Sequence, residues 1–176
     1  AGFWQLYELN TMLAADLARD PSSDVGRITE DWARQWFSDD PATVSAIVQA
    51  MSLSRPAIEQ GMYIEPFAEQ RVFAIGLEPP PMMWIFEWDI LTGDSAVLDL
   101  VYEVSRDRVD EAVAEGSDAV ATAEGMRTLV AGTDAATWRD PAMREAFLGT
   151  LDHEVDMLAV LSAYRTMVLR QAQWHD

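Results

Sequence analysis

Apolar residues recur at three- and four-residue intervals along most of the chain, the spacing of one helix face. A first helix is expected over about 2–19, ending before Asp20-Pro21, because the residue ahead of a proline disfavours helix. Ser22-Ser23-Asp24 can cap a second helix carrying Val25, Ile28, Trp32 and Trp36 on one stripe, and Ser38-Asp39-Asp40-Pro41 breaks it. A third helix should start with Asp40 as cap and Pro41 in its first turn, burying Val44, Ile47, Val48 and Met51. Pro56 should interrupt or kink it, with helix resuming to about Gln60.

The pattern changes between Gly61 and Gly93. Pro66, the run Pro79-Pro80-Pro81 and the cluster Trp84-Ile85-Phe86-Glu87-Trp88 predict a long ordered loop with short helical pieces, extended at the prolines. Two long helices should follow. One covers about 95–130, with Leu98, Val101, Ser105, Val109, Ala112, Gly116, Val120 and Ala123 on a face whose small residues allow close approach of a partner helix. Gly116 and Gly125 each weaken its interior by about 1 kcal/mol relative to alanine, so the helix can break there. The other starts at Asp140-Pro141 and runs to about Gln173, with Phe147, Leu151, Val155, Leu158, Leu161 and Val168 inward. Joined by a short connection, the two should pack antiparallel. The expected fold is all-α: a single helical domain of five to six helices, with a long proline- and aromatic-rich loop.

Composition narrows the function classes. The chain has 176 residues, 49% of them hydrophobic, which suits one domain with a real core. Absence of cysteine excludes disulfides, thiolate metal sites and a thiol nucleophile. The formal net charge is −18, and all 12 basic residues are arginine. Phosphate-bearing partners need cationic patches, so neither nucleic acid nor an anionic membrane is an expected partner, and no apolar run approaches the roughly 20 residues of a membrane span. The compartment stays open, with the cytoplasm preferred. The chain begins Ala1-Gly2-Phe3 and enters an apolar segment at once, which reads as a piece of a longer polypeptide.

Candidate chemistry is sparse. His153-Glu154 begins like a zinc-protease helix, but Met157 stands where the second histidine is needed. Asp152, His153 and Asp156 can share a helix face, and a solvated role is expected for them. No phosphate loop or nucleophile elbow is present, and neither a metal nor a cofactor is expected. Most acids, such as Asp107, Asp110, Glu111 and Glu115, fit solvated helix faces. The candidate ligand-contact or interface residues are Trp84, Phe86, Glu87, Trp88 and Asp89, which join flat apolar rings to carboxylate acceptors. Sugars are bound by such sets, with C–H faces on the rings and hydroxyls on the carboxylates. A core seam or a domain interface uses the same residues.

The run from Asn10 to Pro21 resembles the stretch after the barrel in bacterial α-glucuronidases, which carry an asparagine, Leu-Ala seven and eight residues later (here Leu17-Ala18), and Asn/Asp-Pro. Ile28, Trp32 and Phe37 are similar to their next helix, and Asp40-Pro41 and Met51–Arg55 continue the likeness. It covers about the first 60 residues. Met12 and Arg19 depart from it, standing where the family has a tyrosine and an aromatic. The resemblance implies a non-catalytic helical region following a (β/α)8 barrel in a glycoside hydrolase. Its implied partners are that upstream barrel, carbohydrate and, for the loop, a second copy of the chain. The family's catalytic carboxylates lie on the barrel, so no catalytic residue is assigned here. A self-contained helical interaction module unrelated to carbohydrate is the alternative.

Overall fold

The computed structural model describes residues 4–69, 81–93 and 95–176. They form only helices: α1 (Gln5–Arg19), α2 (Val25–Trp36), α3 (Pro41–Met62), α4 (Glu65–Glu69), α5 (Met82–Thr92), α6 (Ala96–Ser105), α7 (Val109–Ala131) and α8 (Pro141–His175), with 3-10 turns at Arg106–Arg108 and Ala135–Thr137. The all-α expectation holds. The caps sit where the sequence puts them. Asp24 accepts from the Arg27 N–H at 3.1 Å, Asp40 from Thr43 at 2.8 Å and Asp140 from Ala142 at 2.8 Å.

Three expectations need correction. Where only short helical pieces are expected in the loop from Gly61 to Gly93, α5 forms a helix of 11 residues beginning at Met82. Pro81 precedes the helix in an extended conformation (φ −71°, ψ 158°), and no proline follows within it, so no helical donor is lost. Gly93 ends the helix at φ 65°, a left-handed conformation natural to glycine, and donates to the Asp89 carbonyl at 2.9 Å. Pro79 and Pro80 lie outside the described residues. Second, Pro56 does not interrupt α3, which continues through it to Met62. Third, the helix expected over 95–130 breaks at Arg106–Arg108 and not at Gly116 or Gly125, so more helices form than the five to six expected.

The chain divides into two compact units, Ala1–Ser54 with Ala123–Glu154 and Arg55–Thr122 with Val155–Asp176. The first is built on aromatic rings. Phe37 meets Trp32, Trp138 and Phe147 edge-on at centroid distances of 4.9, 5.6 and 5.5 Å, and all four side chains are buried. Such pairs contribute about 0.5–1.5 kcal/mol each beyond burial. The Trp32 indole donates to the Gln5 carbonyl at 2.9 Å, fixing α1 to α2, while Trp36 is half-buried with Trp4 edge-on at 4.8 Å. Arg139 N–H donates to the Phe37 carbonyl at 2.7 Å and ties the turn before α8 to the end of α2.

In the second unit α7 and α8 run antiparallel: Asp110 pairs with Arg170, Ala112 with Arg165 and Gly116 with Ser162. Gly116 is the close approach that the small-residue face predicts. A Cβ there would lie 2.9 Å from the Ser162 hydroxyl and 3.3 Å from its Cα. Leu158, Leu161 and Leu169 of α8 are buried, and Val168 is half-buried. Among them stands Arg165, also fully buried.

Candidate functional site

An open cleft of about 800 Å³ lies within the second unit. Helical spacing aligns its walls. Leu98 and Tyr102 are four apart on α6, as are Asp99 and Glu103; Tyr164, Val168 and Ala172 follow the same step on α8. Asp89 at the end of α5, Ser95, Met167, Gln171, His175 and Asp176 complete the lining. Two tyrosine–carboxylate pairs organise the polar part. Tyr164 donates to Asp89 at 3.1 Å and Tyr102 to Asp176 at 3.1 Å. Arg106 donates to Glu103 at 2.8 Å and to Asp176 at 3.0 Å, with its guanidinium 5.7 Å from the Tyr102 ring centroid.

Burial, and then the Asp89 carboxylate, push the Tyr164 hydroxyl up to about 12. Burial and Asp176 likewise raise Tyr102. Both phenols stay protonated around neutral pH and act as donors to their carboxylates. Each carboxylate keeps further lone pairs for donors in the cleft. The Ser95 hydroxyl reaches Asp89 only at 3.4 Å, long for an O–H···O bond, so this contact does not activate a nucleophile. The arrangement can hold a ligand rich in O–H or N–H groups beside an aromatic ring.

Among the described side chains, one of the sequence-predicted set joins the cleft. Asp89 lines it; Trp84 is half-buried on α5, and Glu87 is exposed. The side chains of Phe86 and Trp88 lie outside the described ones. His153 and Asp156 are exposed, and Asp152 pairs with Arg127. Tyr102, Tyr164 and Asp176 carry no signal in the sequence. They come together only when α6 meets the end of α8.

A second polar cluster surrounds Arg165. Its guanidinium donates to the carbonyls of Gln60, Gly61 and Tyr63 at 2.8–2.9 Å and of Ala112 at 3.1 Å, and lies 3.5 Å from Glu115. Glu115, 8% exposed, accepts from the Glu65 N–H at 3.1 Å through Oε2, while Oε1 is buried without a partner. Burial pushes its carboxyl up to about 7, against the Glu65 N–H and Arg165, which act to lower it. Glu115 is thus no solvated acid, contrary to expectation. Its place four residues after Glu111 on an acidic helix face hides it in the sequence.

No family model, curated protein or solved structure matches the chain. Among the described residues, no helix is long and apolar enough to cross a membrane.

Proposed function

We propose that this chain is a non-catalytic helical region associated with carbohydrate, of the kind that follows a glycoside-hydrolase barrel, and that its cleft offers an edge for a sugar chain. The observation carrying this reading is the Tyr164–Asp89 pair on the cleft wall. Hydroxyls of a pyranose in the cleft can donate to the lone pairs that Asp89 and the neighbouring carboxylates keep. The many carboxylates in the lining repel an acidic sugar, so the favoured ligand is the neutral part of a chain. Saturation-transfer NMR with neutral xylo- and cello-oligosaccharides, and with glucuronate as contrast, tests this. Transfer to a neutral oligosaccharide should weaken in both Asp89→Asn and Tyr164→Phe. No transfer to any neutral oligosaccharide sinks the reading. The non-catalytic part is tested with aryl glycosides: turnover abolished by substituting a carboxylate of this chain would overturn it.

The alternative, a helical interaction module, is favoured by a different observation. Ile90 and Leu91 at the end of α5 are 74% and 80% exposed. Sedimentation at rising concentration separates the two readings. Association abolished by Ile90→Asp, without any sugar binding, supports the module.

A further inference from the structure

Three carboxylates outside the cleft converge on one point. Oxygens of Glu65, Glu111 and Glu115 all lie within 4.8 Å of one another. Oxygens around a Ca2+ ion stand about 2.4 Å from it, so any two are at most about 4.8 Å apart, and a single ion can touch all three. Acidic groups gather by chance in a chain this acidic, but Glu115 distinguishes this cluster. It is nine-tenths buried, and its Oε1 has no hydrogen-bond partner. A buried acceptor left without a partner is costly, which is the condition a bound cation relieves.

The neighbouring charges permit an ion. Arg165 faces Glu115 at 3.5 Å, long for a hydrogen bond; its two terminal nitrogens donate to four backbone carbonyls, while its Nε–H is buried without a partner. Arg108 donates to both oxygens of Glu111 at 2.7 and 2.6 Å and also pairs with Glu69 on α4. Each Glu111 oxygen keeps a lone pair, and Glu69 can retain Arg108 if Glu111 turns to a metal. Glu65 and Glu111 are exposed, giving a path from solvent, while Glu115 forms the floor. The ligands are all hard oxygens, which suits Ca2+ and not a thiolate- or imidazole-seeking metal.

We propose that Glu65, Glu111 and Glu115 form a binding site for Ca2+. The site shares no residue with the cleft and does not depend on the carbohydrate reading. Thermal unfolding at about pH 8 in millimolar CaCl2, against NaCl of matched ionic strength, tests the site. A rise of about 2–4 °C is expected for the parent protein. Glu115→Gln keeps the shape of the side chain and should abolish the rise. Asp118→Asn, an exposed acid on the same helix, should retain it. Calorimetric titration with CaCl2 should show the same ordering. No calcium-specific rise in the parent, an undiminished rise in Glu115→Gln, or equal loss in Asp118→Asn overturns the proposal.

Discussion

Arg165 has no exposed surface and donates through its two terminal nitrogens to the carbonyls of Gln60, Gly61, Tyr63 and Ala112. Three of these belong to the closing turn of α3 and the residue just after it, where a helix leaves its last carbonyls without partners. The guanidinium does from outside what a C-terminal glycine motif would do locally. Lysine has fewer donors on one point and cannot spread across four acceptors. Arg165→Lys should therefore lower stability substantially, and Arg165→Met by about 3–5 kcal/mol, because buried carbonyls are left unpaired. Urea denaturation measures both, and a loss below about 1 kcal/mol in Arg165→Met would refute the role. Glu115 gives a pH test. Its carboxyl, ordinarily near 4.5, is pushed up to about 7 in the fold, so folding favours the protonated form. That contribution is full below about pH 4.5 and is lost as pH rises through about 7. In metal-free buffer the stability difference between parent and Glu115→Gln should move against the parent across this window and then level off. A difference independent of pH would show that Glu115 titrates normally.

At the scale of elements, caps decide what can be read in advance. Asp24, Asp40 and Asp140 act within three residues of themselves, so local sequence is enough. Gly93 is equally local. With φ at 65°, an alanine there is strained, and Gly93→Ala should cost about 1 kcal/mol in chemical denaturation. An unchanged midpoint would mean that the end of α5 relaxes freely. The corrected expectations have a shared cause. The number of prolines before α5 misleads where their position decides: Pro81 precedes the helix and leaves its interior intact. Propensity alone misleads for the long-helix glycines, because Gly116 is held inside α7 by its fit against Ser162. Of the cleft, Asp89 is legible because it follows an aromatic run. Tyr102, Tyr164 and Asp176 are not, because their pairing spans more than seventy residues and is set by packing. Arg165 leaves one readable trace, a charge placed four residues from Leu161 and from Leu169 on an apolar stripe.

Charge acts on the molecule as a whole. The formal charge is −18, and every arginine among the described residues pairs with a carboxylate. Most of these pairs are exposed and contribute little each. The unbalanced acids repel one another and destabilise the compact state, and salt screens that repulsion. The melting temperature should rise with NaCl between low and physiological ionic strength, where a protein held mainly by surface ion pairs would fall. A falling curve would mean that the pairs outweigh the repulsion. Arg165 also has a consequence for cutting the chain. It lies 105 residues beyond Gln60, yet it completes the end of α3. A premature stop ahead of it would unlatch Gln60–Tyr63, and amide exchange would report the damage at the close of a helix the truncation never touched.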